Sequence, residues 1–95
     1  MSQDIAQQLV GRKASQVLTP GRLRAELGYA FPDLNDEIQK APTERIERLW
    51  DKLTDSVVIT AAWYSPKRGT FQVCFGRPLG ITRHLRTWDL RVSDR

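Results

Sequence analysis

The hydrophobic period of this chain changes once, close to residue 56, and that change constrains the fold more than any other feature. Before it, residues 43–54 carry apolar side chains at the i, i+3, i+4, i+7 spacing of an amphipathic helix, namely Ile46, Leu49, Trp50 and Leu53. After it, residues 57–64 are rich in the β-branched and aromatic residues typical of strands. The sequence therefore predicts one α+β domain over residues 1–95, with helices in 1–55 and an antiparallel sheet in 56–95.

Helix-start and helix-stop residues divide the first half into three or four short helices. The pattern of residues 2–18 predicts a helix that begins near Ser2. Its last part, around Ala14 to Leu18, either continues this helix or forms a second short one. Thr19 and Pro20 suit the N-cap and first position of a helix over residues 20–27, and Gly28 suits the left-handed position that ends it.

Two more helices follow in the acidic part of the chain. Asp33 is placed to cap a short helix, which Pro42 then ends. Thr43 is placed to cap the helix over residues 43–54. Its Trp50 is expected to cover the apolar face of the sheet, against Ile59, Phe71 or Trp88.

The first two strands are predicted to form a β-hairpin. Residues 57–64 and 70–75 flank Ser65-Pro66-Lys67-Arg68-Gly69, where the proline suits an early turn position and the glycine can adopt positive φ. Phe71, Val73 and Phe75 alternate along the second strand, which predicts that they share the buried face.

A third strand is predicted over residues 82–92. Trp88, Leu90 and Val92 would form its apolar face, while Leu85 would be a hydrophobic exception on the polar face. The free edge of this strand could pair with a second copy of the chain, so a homodimer is one possible assembly.

The large aromatic residues of the sheet allow two interpretations. Core packing is the expectation for Trp63, Tyr64 and Trp88. If they are instead exposed beside arginines, the sheet surface could stack bases and hold phosphates.

Charge is distributed unevenly along the chain, whose formal net charge is +4. Residues 1–30 have a net charge of +2 and residues 31–55 a net charge of −3. Residues 56–95 carry six arginines and one lysine against two aspartates, a net charge of +5. Because arginine binds phosphate and carboxylate through a rigid fork, this asymmetry favours a polyanion or an acidic protein as partner.

Few residues suggest catalysis, a metal or a cofactor. His84, beside Arg83 and Arg86, could serve a ribonuclease-type site, although an exposed strand position explains it as well. Asp33, Asp36 and Glu37 lie within one helical turn, which is more typical of a solvated helix start than of a metal site. No cofactor is predicted, and a binding protein is favoured over an enzyme.

Cellular context follows from one cysteine and from hydropathy. Cys74 is alone, so no internal disulfide is possible, and a half-buried thiol in an apolar run is expected. No apolar stretch approaches the ~20 residues of a membrane span, and the N-terminus does not resemble a signal peptide. A cytoplasmic protein of bacterial or phage origin is the simplest expectation.

Two segments resemble parts of DNA-binding domains. Residues 18–28 resemble the first helix and turn of a helix-turn-helix, and the basic tip Lys67-Arg68 resembles the wing of a winged-helix domain, which touches the sugar–phosphate backbone. The resemblance implies that the next helix enters the major groove, but that helix is acidic, so no family is assigned. A winged-helix-like arrangement is one form that this order of elements can take.

These observations predict a small non-enzymatic protein that contacts nucleic-acid phosphates, with DNA as one ligand. The contacts would come from the basic hairpin and the C-terminal strand, through Lys67, Arg68, Arg77, Arg83, Arg86 and Arg91. The alternative is an accessory or inhibitor protein, of the antitoxin, immunity or phage-encoded type, that binds a partner protein through charged surfaces.

Overall fold

A computed structural model describes residues 2–76 and 82–91 of the chain. Helices come first: α1 (Ser2–Leu9), α2 (Ala14–Val17), α3 (Pro20–Ala30), α4 (Asn35–Lys40) and α5 (Thr43–Leu53), with a 3-10 turn at Pro32–Leu34 before α4. An antiparallel sheet follows, in the order β1 (Ile59–Ser65), β2 (Thr70–Phe75) and β3 (Thr82–Arg86). This arrangement confirms the predicted α+β class. No helix in these two ranges is long and apolar enough to cross a membrane.

One apolar core joins the helices to the sheet. Side chains from both halves are fully buried in it, among them Leu18, Leu23, Leu27, Ile46, Trp50, Ile59, Val73 and Leu85. The α5 residue Trp50 meets the ring of Phe75 edge-on, with centroids 6.1 Å apart. Trp50 thus reaches the sheet from α5, but its aromatic partner is Phe75, which differs from the expected set. The helix packed most closely on the sheet is α1, against β1, whereas α5 packs mainly on α3.

Helix α3 begins where the sequence predicts and ends later. The Thr19 hydroxyl accepts a hydrogen bond from the Arg22 amide at 3.3 Å, which confirms the N-cap. The predicted end at Gly28 is wrong, because the helix continues to Ala30. A Cβ on Gly28 would collide with the side chain of Asn35 in α4, so the glycine permits close approach of two helices.

The predicted caps of the next two helices are also wrong. Asp33 lies within the 3-10 turn, and Thr43 is the first residue of α5. Their N-cap positions are occupied by Leu34 and Pro42, neither of which makes a side-chain capping bond. Pro42 has φ −67° and ψ 161°, so the chain is extended just before α5. The proline ring fixes φ near −65°, and this restraint takes the place of a side-chain cap.

Strand β1 contains a bulge that changes which residues face the core. Ile59 pairs with Phe75 and Ala61 pairs with the neighbouring Cys74, so Thr60 is an extra residue without a partner position. In a regular strand Trp63 would lie on the same face as Ile59. The bulge moves Trp63 to the opposite face instead.

The outer edge of β1 is covered by the N-terminal part of the chain. Backbone bonds join Ile59 to Gly11 at 2.8 Å and to Arg12 at 2.9 Å. Farther along, the Gln3 amide donates to the Tyr64 carbonyl at 2.8 Å and accepts from the Tyr64 N–H at 3.1 Å. These contacts remove an exposed strand edge.

Strand β3 is shorter than predicted, and its faces are reversed. It ends at Arg86, where the Asp89 carboxylate accepts from the Arg86 amide at 3.0 Å and a 3-10 turn over Thr87–Asp89 begins. Leu85 is fully buried and therefore marks the core face, whereas Trp88 is exposed. Val92, the last residue of the predicted strand, lies outside the described residues.

The segment after β3 attaches to the helical half. Leu90 forms a bridge with Leu18. The Thr19 amide donates to the Asp89 carbonyl at 2.9 Å, and the Arg91 amide donates to the Val17 carbonyl at 2.7 Å. The chain thus returns from the sheet to the short segment between α2 and α3.

Candidate binding surface on the outer face of the sheet

The two faces of the sheet differ in chemistry. One face packs against the helices and carries Phe71, Val73, Phe75 and Leu85, all buried. The opposite face, called the outer face below, consists of the alternate residues Ala61, Trp63, Ser65, Thr70, Gln72, Cys74, His84 and Arg86. Cys74 is half-buried there, as predicted. The outer face combines an aromatic ring, amide, imidazole and guanidinium groups.

Strand register arranges these side chains in rows across the sheet. Trp63 lies opposite Gln72, which lies opposite His84. The neighbouring row, nearer the hairpin tip, joins Thr70 to Arg86. Since adjacent strands are about 4.8 Å apart, Trp63 and His84 are separated by roughly 10 Å across the face.

His84 is held by three neighbours. Its Nδ1 lies 2.9 Å from the Arg68 Nη1 and 2.9 Å from the Gln72 Nε2, and its Nε2 contacts the Thr70 hydroxyl. A guanidinium can only donate, so Nδ1 must accept and cannot carry a proton. With Nδ1 as the acceptor, Nε2 is the ring nitrogen that can donate, and its neighbour is the Thr70 hydroxyl.

The same network positions the hairpin tip. Arg68 belongs to the turn that joins β1 to β2, yet its side chain reaches back over the outer face to His84. A guanidinium has five N–H donors, so most of them stay available for another ligand. The imidazole therefore positions the cation at the edge of the surface. Among the described residues, the hydrogen-bond partners of His84 include no carboxylate of the kind that commonly orients a catalytic histidine.

Two tryptophans are exposed on this side of the molecule, so the core packing expected for them is wrong. Trp63 is 38% exposed and Trp88 is 66% exposed. The bulge in β1 accounts for Trp63, and the 3-10 turn after β3 accounts for Trp88. The Arg86 guanidinium lies 5.3 Å from the Trp88 ring centroid, in cation–π geometry. Tyr64, by contrast, packs against the core, with its ring 5.1 Å from that of Phe71.

The six cations predicted to contact phosphate have different environments. Lys67 and Arg68 are exposed at the hairpin tip, and Arg86 is exposed on the outer face. Arg83 points to the helix side, where it bonds Glu26 at 3.0 Å, and Arg91 pairs with Glu47 at 2.5 Å. Arg77 lies outside the described residues.

Of the five described cations in this set, the three that have no carboxylate partner lie at one end of the sheet. β1 ends, β2 begins and β3 ends at the hairpin tip, which brings Lys67, Arg68 and Arg86 to the same end of the outer face. The Asp89 carboxylate lies close to this end of the sheet, where it accepts a hydrogen bond from the Arg86 backbone amide. The predicted acidic trio, Asp33, Asp36 and Glu37, is exposed, and no metal-binding cluster of three or more ligands occurs in the part of the chain that the structure describes.

Sequence reasoning identified the cations but missed Thr70 and Gln72. The sequence does carry a signal for these two residues, because polar residues alternate with Phe71 and Val73 along β2 and must share the face opposite the core.

No protein-family model, curated protein or solved structure matches this chain. The chemistry of the outer face is therefore the guide to function.

Proposed function

We propose that this chain binds nucleic acid, with phosphates held by Lys67, Arg68 and Arg86 at the hairpin end of the outer face. The observation that carries the proposal is the presence of these exposed cations beside two exposed tryptophans. Phosphate contacts supply most of the sequence-independent affinity for nucleic acid, and arginine is well suited to them.

The remaining predicted cations contribute less in this proposal. Arg83 and Arg91 already have carboxylate partners, Glu26 and Glu47. A phosphate would have to compete with those partners, whereas it could approach the exposed hairpin tip without breaking an ion pair. Arg77 stays a predicted contact on sequence grounds alone.

The test is charge reversal at the tip, measured by fluorescence anisotropy over a salt series. Lys67→Glu/Arg68→Glu is expected to weaken binding similarly on all sequences and to reduce the salt slope by about 2, since roughly one counterion is released per phosphate contact. The matched control is Arg45→Glu/Arg48→Glu, which makes the same charge change on exposed positions of α5. Equal losses in both variants would indicate a net-charge effect, and unchanged affinity in the tip variant would remove the proposal.

A partner protein is the second candidate. Trp88 is largely exposed with an arginine stacked on it, and these two residue types dominate protein interface hot spots. This candidate predicts no oligonucleotide binding even at low salt. It also predicts that Trp88→Ala prevents capture of the native partner.

A homodimer is a separate possibility, in which β3 pairs with β3 of a second copy. Light scattering would then give the mass of a dimer.

A further inference from the structure

We infer that the ligand of the outer face is single-stranded nucleic acid, whose bases stack on Trp63 and Trp88. This inference depends on the proposed function and adds the ligand class. Stacking requires an aromatic ring open to solvent, a backbone-neutralising cation close by and room for a planar base. The outer face meets each of these three requirements.

Trp63 satisfies the requirement for an accessible ring. It stands on a strand whose other outward residues are small, with Ala61 before it and Ser65 after it. The residue opposite on β2 is Gln72, whose Nε2 is turned toward His84. A base could therefore lie on the indole without displacing a bulky neighbour on β1.

Trp88 and Arg86 satisfy the requirement for a ring with a cation beside it. The guanidinium lies 5.3 Å from the indole centroid and is exposed on the same side as the hairpin tip. A base on Trp88 would have its phosphate within reach of a cation that the ring already holds in place. Arg68, positioned by His84 on the same face, supplies a second cation for the backbone of the bound strand.

The exposed tryptophans favour a single strand over a duplex as the ligand. In a duplex the base faces are stacked on each other and hidden, so Trp63 and Trp88 would have nothing to stack on. Reading a duplex groove would instead need a helix with a basic exposed face. Helix α4 exposes Asp36 and Glu37 and presents no such face, whereas α5 exposes Arg45, Arg48 and Lys52 beside Glu44. Neither exposed tryptophan lies on these helices, so a duplex held by α5 would leave both rings unused.

The experiment compares ligands that differ in one property at a time. Labelled strands of about 12 nucleotides are used as single-stranded RNA, single-stranded DNA, the matching duplexes, and a DNA strand whose bases are replaced by abasic units. We expect the single strand of at least one sugar type to bind more tightly than its duplex, and the abasic strand to retain only salt-sensitive binding.

Variants identify the stacking residues. Trp63→Ala and Trp88→Ala are each expected to weaken single-strand binding between about 5-fold and 100-fold, because stacking of one base on an aromatic ring contributes that much. Trp63→Phe should restore most of the loss. Tyr29→Ala is the matched control, because Tyr29 is 79% exposed and lies 5.7 Å from the Arg83 guanidinium on the helix side of β3. It should leave affinity unchanged, and circular dichroism checks that every variant is folded.

The outcomes separate this inference from the proposed function. If abasic and normal strands bind equally, or if both tryptophan variants bind like the native chain, stacking is overturned while phosphate binding stands. Tighter binding of the duplex than of both single strands also overturns it. If no oligonucleotide binds at low salt, the proposed function fails as well, and the exposed tryptophans belong to a protein interface.

Discussion

At the residue scale, His84 connects the parts of the outer face. It is the single histidine of the chain, and its contacts link the hairpin tip, β2 and β3. Since arginine cannot accept a hydrogen bond, its contact with Nδ1 specifies the imidazole tautomer. The sequence revealed a histidine among arginines but not this role, because the role depends on a turn residue folding back over the sheet.

The tautomer can be measured directly. Long-range proton–nitrogen spectra of the single imidazole at neutral pH are expected to show the proton on Nε2 and an unprotonated Nδ1. Arg68→Ala should shift the Nδ1 resonance, because it removes a charged donor at 2.9 Å. Lys67→Ala is the control, because it makes the same charge change one residue earlier. It should leave the Nδ1 resonance of His84 unchanged. A proton found on Nδ1 would contradict the network and would make His84 available as a base toward Thr70.

At the element scale, the sequence predicted elements well where the signal is local. The period of α5 and the turn between β1 and β2 depend on neighbouring residues, and both were confirmed, with Gly69 at φ 64°. The bulge at Thr60 and the end of β3 at Arg86 depend on cross-strand pairing and on the carboxylate of Asp89. Periodicity cannot reveal an extra residue in one strand, so the core packing expected for Trp63 was wrong.

Two threonines at helix starts provide a test at this scale. The sequence predicts a cap at both Thr19 and Thr43, but only the Thr19 hydroxyl accepts from a helix amide. Thr19→Ala is therefore expected to lower the free energy of unfolding by about 1 kcal/mol. Thr43→Ala should change it by less than about 0.5 kcal/mol, as exposed substitutions usually do. Urea denaturation measures both, and equal losses would contradict the observed caps.

At the scale of the whole molecule, the helical half and the sheet share one core, and the segment just after β3 returns to the helices. Trp50 joins α5 to β2, and Glu26 joins α3 to β3 through Arg83. Leu90, 4% exposed, lies against Leu18 between α2 and α3. Because the helices pack on one face of the sheet, the outer face stays available for ligand binding.

This shared core predicts that both halves unfold in one transition. In a Trp63→Phe/Trp88→Phe background the emission of Trp50 reports the helix–sheet contact, while far-ultraviolet circular dichroism reports mainly the helices. We expect coincident urea midpoints, as two-state unfolding requires. Leu90→Ala should lower the free energy of unfolding by about 2–5 kcal/mol, because it leaves a cavity at a buried site between the halves. Both urea midpoints should therefore fall together. Val10→Ala, at a 41% exposed position, should cost less than about 0.5 kcal/mol. If Leu90→Ala shifted only one probe, the two halves would be separate folding units, and ligand binding at the outer face could not stabilise the helices.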